Sequence, residues 1–266
     1  MKLFDRKVEV RIGPPGGLGR AWSDLHITFS VERTSAAEPN TAEIQLYNLS
    51  DDSIGFIESG NNYVQLLAGY GSPSLIFSGD VPKRGVKTEW SGNDRITTIE
   101  AGDGELAIDE SVFNWAFDAG ATNHEILAQI ITEMGVGVGT LDTLPLQTFA
   151  SGMVFMGRAR DALQRVVSKA GASWSIQDGA LQILLAGNAT PETAVLLSPD
   201  SGMVGSPTRT DSGIEAVSLM QPGLRPGRLV QVQSRVITGL YRCRKVIHAG
   251  DTHGGDFTSS VEAKEV

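Results

Sequence analysis

The sequence predicts a mainly β protein with a small α+β part, and three observations support this class. Short runs of alternating apolar and polar residues fill residues 7–101, and Gly, Pro, Asn or Ser ends each run. Between residues 119 and 187 the spacing of the apolar residues changes to that of helices. Short alternating runs return in residues 214–263. We therefore expect two β-rich parts with a smaller α/β part between them.

The first predicted unit, residues 1–118, carries seven strand patterns and little helical periodicity. This combination favours a small antiparallel barrel or sandwich. The glycine-rich segment 13–19 lacks both a Gly-Lys-Ser/Thr ending and a following helix, so a hairpin loop is predicted there and not a phosphate site. The predicted strands are 7–12, 25–31, 42–49, 63–70, 75–81, 85–90 and 95–101.

The second predicted unit, residues 119–187, contains two amphipathic helices. Thr122 is a candidate N-cap with Glu125 three residues later, and Gly135 ends the apolar face that follows. A second helix is predicted over residues 159–170. Behind it, the Asp-Gly pair at residues 178–179 separates two short strand patterns. That pair is a strong signal for a two-residue hairpin turn.

The third predicted unit, residues 188–266, begins with a polar linker at residues 188–192. Short strand patterns follow, and turns separate them. These patterns are 214–220, 229–234, 239–248 and 256–263. The unit is therefore predicted to be a second β-rich body.

The net charge of −9 argues against broad affinity for nucleic acids, because phosphate binding needs a dense cationic surface. Residues 201–250 are an exception, with seven Lys and Arg residues against two acidic ones. A basic segment on an acidic body suits contact between subunits, and a solvated strand face is the alternative. The candidate interface residues are Arg228, Arg235, Arg242, Arg244 and Lys245.

Cellular location and cysteine chemistry are constrained by simple counts. The sequence has no run of 18 apolar residues, and its start alternates charged with apolar residues, so neither membrane insertion nor secretion is expected. Cys243 is the single cysteine, which excludes an intramolecular disulfide. We expect it to be a small apolar strand residue, although neighbouring cations would make it reactive if it were exposed.

No catalytic, metal or cofactor site is predicted. His248, Asp251 and His253 are close in sequence, but residues 249–252 resemble a turn and a further strong ligand is not evident. The pairs Asp51 with Asp52 and Asp103 with Glu105 could imitate the carboxylates of a glycosidase. The first pair follows Ser50 and indicates a helix start or a solvated turn. Asp103 precedes a glycine in a predicted turn.

The aromatic residues do not form an evident binding platform. The four tryptophans are scattered, so stacking on sugars or single-stranded bases is not indicated. Residues 113–117 are the most apolar linker, and we expect them to pack between units or, alternatively, between subunits.

Several segments, in their order, resemble the baseplate hub proteins of contractile-tailed bacteriophages, the T4-type hub or late control D-like family. The segments are Ile-Gln-Leu-Tyr-Asn-Leu-Ser at 44–50, Leu-Leu-Ala-Gly-Tyr at 66–70, Ile-Phe-Ser-Gly-Asp at 76–80 and Tyr-Arg-Cys-Arg-Lys-Val-Ile-His-Ala-Gly-Asp-Thr at 241–252. The helix and hairpin before residue 184 are similar to the small α/β domain of that family.

The resemblance implies two tail-tube-like β-barrels that flank a small α/β domain. It further implies a homotrimeric ring that adapts a sixfold tail tube to a threefold central spike and surrounds a channel. Expected partners are the tail tube protein, the central spike protein, the tape measure protein and wedge proteins, with DNA only in passage. The expected location is the baseplate of the virion tail, after assembly in the host cytoplasm.

Three other functions are compatible with the sequence. A tail-tube or distal-tail protein would use one barrel, and the middle unit argues against it. A tail-associated cell-wall hydrolase would need one of the carboxylate pairs for turnover. A carbohydrate-binding tail module would bind glycans as an isolated chain.

Overall fold

The computed structural model of the protein describes residues 4–15, 17–59, 62–109 and 111–266. Strands dominate, and the longer helices lie in the middle of the chain, which confirms the predicted fold class. Residues 1–3 of the predicted first unit and Gly16 of the glycine-rich segment lie outside the described residues. Within the described ranges, no helix combines the length and apolar character that a membrane crossing needs.

Among the residues that the structure describes, the first part of the chain forms eight strands and two short helices. β1 and β2 pair antiparallel, so the glycine-rich segment connects a hairpin as predicted. Ser50 caps α1 by accepting a hydrogen bond from the amide of Ser53. The elements are β1 Arg6–Gly13, β2 Arg20–Trp22, β3 Ile27–Thr34, β4 Asn40–Tyr47, α1 Asp51–Glu58, β5 Asn62–Tyr70, β6 Ser74–Val81, β7 Val86–Ser91, β8 Asp94–Asp103 and α2 Glu105–Asp109.

The middle part confirms both predicted helices. Thr122 and Glu125 form a reciprocal capping box, and Gly135 ends α3 in the left-handed conformation at φ 63°. The three-stranded sheet here has the order β11-β15-β14, while β10 pairs with β12 and β9 with β13. The elements are β9 Val112–Phe117, β10 Ala121–Thr122, α3 Asn123–Met134, β11 Gly137–Leu141, β12 Thr148–Phe149, β13 Met153–Arg158, α4 Ala159–Lys169, β14 Ala172–Gln177 and β15 Ala180–Leu185.

The last part contains six strands and one turn of 3-10 helix, Pro199–Ser201. The predicted turn at residues 249–252 was wrong for residues 249–251. The backbone of these three residues continues β20 because it pairs with β3. The strands are β16 Val195–Leu197, β17 Met203–Thr210, β18 Gly213–Leu219, β19 Leu229–Gln233, β20 Thr238–Asp251 and β21 Phe257–Glu265.

The first and last parts share one sheet of 14 strands. Its main order is β17-β18-β21-β20-β3-β4-β8-β6-β5-β1-β2. Off this order, β19 pairs with β20 and β16 pairs with β19, while β7 pairs with β8. β20 links the two parts, because residues 238–242 pair with β19 and residues 245–251 pair with β3. A register shift against β21 between Cys243 and Lys245 lies where the partner changes.

Buried apolar side chains form three clusters. One lies within the strands and first helix of the first part, and the last part adds Met220 and Phe257 to it. A second cluster spans residues 108–185, and a third spans residues 195–263. Phe257 packs edge-on against Phe29 and Tyr70, which couples β21 to the first cluster. The division into units at residues 118 and 187 stays a prediction.

The turn between β14 and β15 inserts into a buried polar junction. Asp178 and Gly179 have φ values of 54° and 78°, as a two-residue hairpin turn of this kind requires. Their amides donate to the two oxygens of Asp103, each at 2.7 Å. Asn40 Nδ2 donates to the same carboxylate and to the carbonyl of Ile176. Successive amides in this conformation form a concave anion site, and Asp103 fills it.

Two arginines bind the carboxylate of Asp178. Arg33 of β3 is 1% exposed and donates to Oδ2 at 3.0 Å, and Arg225 of the last part donates to the same oxygen at 2.9 Å. Arg33 also donates to the carbonyl of Ile76, and Arg225 donates to that of Leu75. Groups from all three parts of the chain therefore meet at this turn.

We predict that Asp103→Asn destabilises the protein although the shape of the side chain is kept. An asparagine offers one acceptor oxygen, so its NH₂ group would face the amide of Asp178 or Gly179. A buried donor that has no acceptor lowers the free energy of unfolding by about 2 kcal/mol. Urea unfolding should therefore show a lower midpoint than the wild type. Asp51→Asn, the same change at a carboxylate that is 92% exposed, is the control. Equal midpoints for both variants would contradict the prediction.

His248 is the second buried polar group of interest. Its ring is fully buried in β20, and Nδ1 is 2.8 Å from the hydroxyl of Ser259. Burial, reinforced by the positive charge of Arg33, lowers the pKa of His248 to about 3. The folded protein therefore holds a neutral imidazole at this position.

The lowered pKa of His248 predicts a loss of stability in acid. An unfolded histidine takes up a proton near pH ~6.5, while the folded one resists protonation down to about pH 3. The free energy of unfolding that this difference in pKa contributes is complete above about pH 6.5. Between that pH and about pH 3 it falls by roughly 1.4 kcal/mol per pH unit. Urea midpoints measured between about pH 7.5 and about pH 4.5 should fall more steeply for the wild type than for His248→Asn. Parallel slopes would refute this.

Candidate functional site

Arg228 and Arg242, two of the five candidate interface residues, donate to backbone carbonyls of the same chain. Arg228 donates to the carbonyls of Thr193 and Gly223, at 2.8 to 3.0 Å. Arg242 donates from Nη1 to the carbonyl of Asn188 at 2.5 Å. The two guanidinium groups therefore hold the first residue of the linker, Asn188, and the residue that follows the linker, Thr193, against the last part.

The other three candidates differ in how available they are. Arg235 and Arg244 are exposed, on the β19–β20 connection and on β20. Lys245 is half-buried, and its Nζ lies 2.7 Å from the carboxylate of Glu32 across the β20–β3 pair. Only Arg235 and Arg244 among the five present exposed side chains. The assignment of an interface to these five residues stays a prediction.

The candidate carboxylate pair Asp51 and Asp52 begins a helix, as one of the two interpretations predicted. Both residues lie in the first turn of α1, where acidic side chains interact favourably with the helix dipole. Asp52 forms an ion pair with Arg20 at 2.6 Å, and Asp51 forms one with Arg95 at 2.5 Å. The contacts of this pair are those of a capped surface helix.

The candidate pair Asp103 and Glu105 does not lie within one element, since Asp103 ends β8. Asp103 is 1% exposed, and both of its oxygens accept amide hydrogen bonds at the polar junction. Burial raises the pKa of Asp103, although the amide of Gly179 and the side chain of Asn40 oppose this. Glu105 begins α2. Asp103 therefore supports the hairpin turn and does not reach a solvent-exposed substrate.

Cys243 is a buried strand residue, which confirms the prediction that it acts as a small apolar residue. Burial raises the pKa of its thiol to about 12, although the charge of Arg33 opposes the shift. The thiolate is the reactive form of cysteine, so this residue is unreactive in the folded state.

The sequence suggested a group of His248, Asp251 and His253, but in the structure His26 takes the place of His248. His248 lies in the core, whereas Asp251 and His253 meet His26, which immediately precedes β3. His26 Nε2 is 3.0 Å from Asp251 Oδ1. One ligand atom from each residue lies within 4.8 Å of the others. The sequence carries no local signal for this group, because His26 is 225 positions from Asp251.

The electrostatics of this group favour a charged carboxylate. Burial alone would raise the pKa of Asp251. The amide of His253, the His26 ring and the amide of Gly254 outweigh it, and the pKa of this carboxyl is lowered. The carboxylate of Asp251 is therefore ionised at neutral pH, and the His26 ring and the two amides hold it in position.

An apolar surface lies on the ribbon of β9 and β13. Residues 113–117 were predicted to be a linker, but they form most of β9, because they pair with β13 in an antiparallel ladder. Phe113 and Phe155 face the second cluster. Val112, Val154 and Met156 face outward and are 71%, 66% and 79% exposed. This outward face is the apolar ribbon, and exposed apolar patches of this kind are typical of contact sites.

Comparison of the sequence with protein-family models gives no match. Comparison with curated protein sequences gives no match either.

The fold, in contrast, matches several solved structures along most of the chain. The 43 kDa tail protein of prophage MuSo2 from Shewanella oneidensis has a TM-score of 0.66 at 11% identity, with 98% of each chain covered. The tail protein from Neisseria meningitidis MC58 has a TM-score of 0.67 at 10% identity, with 98% of this chain and 97% of that chain covered.

A third similar structure is the c3393 protein of E. coli, a component of the type VI secretion system. It is described as structurally similar to the T4 bacteriophage tail proteins gp27 and gp5. Its TM-score is 0.64 at 14% identity, with 91% of this chain and 73% of that chain covered. The protein therefore has the fold of these tail and secretion-system proteins.

Proposed function

We propose that the protein is a structural component of a bacteriophage or phage-like tail. Within it, the protein serves as the baseplate hub of a contractile tail. Three copies form a ring that joins the sixfold tail tube to the threefold central spike, with a channel through the middle. The protein acts through surfaces and not through an active site. It resides in the baseplate of the virion tail and assembles in the host cytoplasm.

The observation that carries this proposal is the full-length likeness to prophage tail proteins. Two of them cover 97% or more of both chains, so the arrangement of strands and helices is shared from end to end. A fold alone does not specify a function. The hub-like segments at 44–50, 66–70, 76–80 and 241–252 add an independent reason to place this fold in a tail.

The sheet edges and the charge fit a closed assembly around a channel. β2 is an edge strand of three residues, and the edge strand β17 contains Pro207 and an irregular register. Short or interrupted edges limit uncontrolled strand addition. The net charge of −9 disfavours retention of DNA, since like charge repels phosphate. The partners are the tail tube, central spike, tape measure and wedge proteins.

We predict a homotrimer in solution, alone or with the spike protein. Native mass spectrometry should find three chains of 28.3 kDa, about 85 kDa together. Negative-stain images should show a ring. A monomer at low and moderate salt, with and without the spike and tail tube proteins, would contradict the hub proposal.

We further predict that Arg235→Glu combined with Arg244→Glu weakens the trimer. Both side chains are exposed, so the change reverses surface charge without removing contacts within the chain. The dissociation constant of the trimer should rise at least about tenfold. Lys83→Glu, an exposed charge reversal in the first part of the chain, is the control. Equal effects of the two changes would exclude this interface.

A further inference from the structure

We propose that His26, Asp251 and His253 bind a divalent transition-metal ion of the Zn²⁺ class. The site would connect the end of β20 and the turn that follows it to the residue that precedes β3. This inference does not depend on the proposed role in a phage tail. It rests on geometry, ligand chemistry and the support around the three side chains.

The spacing of the ligand atoms suits a single ion. Zinc binds imidazole nitrogens at about 2.0 Å and carboxylate oxygens at about 2.1 Å, so tetrahedral ligand atoms lie about 3.3 Å apart. His26 Nε2 and Asp251 Oδ1 are 3.0 Å apart, which is a hydrogen-bond distance, and an ion bound by both atoms would replace the proton between them. All three ligand atoms lie within 4.8 Å of one another. The side chain of His253 is exposed, so it can rotate to close the remaining gap.

The set of donor atoms selects the class of metal. Two imidazoles and one carboxylate suit zinc and its neighbours, whereas Ca²⁺ and Mg²⁺ prefer oxygen ligands throughout. Three protein ligands leave a fourth position for water, as in open zinc sites.

Two of the ligands are held in place before any metal arrives. Asp251 Oδ1 accepts hydrogen bonds from the amides of His253 at 2.7 Å and Gly254 at 3.2 Å. The His26 ring stacks on Tyr47, with centroids 4.0 Å apart and an interplanar angle of 23°. Neighbouring groups that orient ligands in this way typically raise metal affinity.

The turn itself is anchored to the first strand. Arg6 donates to the carbonyls of Asp251 and Gly254 at 3.1 Å and to that of Gly255 at 3.2 Å. The backbone amide of Ile27, at the start of β3, donates to the hydroxyl of Thr252 at 3.0 Å. The backbone that carries Asp251 and His253 is therefore fixed beside His26. A bound ion would strengthen the connection between the first and last parts of the chain.

The test uses the untagged full chain, because a histidine tag would itself bind metal. Co²⁺ is titrated at about pH 7.5, and its visible absorption reports the number and type of ligands. Calorimetry with Zn²⁺ gives the affinity. We expect one ion per chain and a higher melting temperature in the presence of Zn²⁺, since the ion binds the folded state.

Two variants make the test specific. His253→Asn should weaken Zn²⁺ binding at least about tenfold and change the Co²⁺ spectrum, because a ligand is lost. The side chain of His253 is exposed and its backbone amide is kept, so the fold is expected to survive. His26→Asn should do the same. His124→Asn, at a histidine in α3 that contacts the carbonyl of Leu144, is the control and should change neither readout.

Lack of binding by the wild type would overturn the site. Binding that survives both His253→Asn and His26→Asn, or that His124→Asn weakens equally, would overturn it as well.

Discussion

The structure depends on the buried junction at the Asp178–Gly179 turn. The turn belongs to the middle part of the chain, Asp103 and Arg33 belong to the first, and Arg225 belongs to the last. Removing one partner of a buried ion pair leaves an uncompensated charge, which costs about 3 kcal/mol or more. Such a network accepts few alternative arrangements, because each polar group must find its partner. The three parts are therefore held in one relative placement.

The shared sheet adds a second connection between the first and last parts. β20 pairs with β19 along its first half and with β3 along its second half, so movement between the two parts would break main-chain hydrogen bonds. His26 immediately precedes β3, and Arg33 of the polar junction lies on β3. A rigid subunit of this kind suits the proposed ring, because the geometry of each subunit would then determine whether the ring closes. The exposed arginines and the apolar ribbon remain available for contacts with other proteins.

Local signals in the sequence predicted much of the fold, whereas contacts between residues that are distant in sequence were not predicted. The capping box at Thr122 and the Asp178–Gly179 turn were predictable, since each depends on residues within a few positions. The pairing of β3 with β20 and the contact between Arg33 and Asp178 were not, because the partners are more than a hundred positions apart. For the same reason the sequence suggested His248 and not His26 beside Asp251. β9 was not predicted, because its partner β13 follows the helix α3 in the sequence and the pairing has no local signal.

A double-mutant cycle between Arg33 and Asp178 tests the central claim most directly. The free energy of unfolding is measured by urea for the wild type, Arg33→Ala, Asp178→Ala and the double variant. A junction that joins the parts predicts a coupling free energy of at least about 1 kcal/mol, because the contact between Arg33 and Asp178 is lost in each single variant and cannot be lost again in the double variant. Additive effects, within about 0.3 kcal/mol, would mean that the two groups stabilise their own parts separately and that the junction does not hold the molecule together.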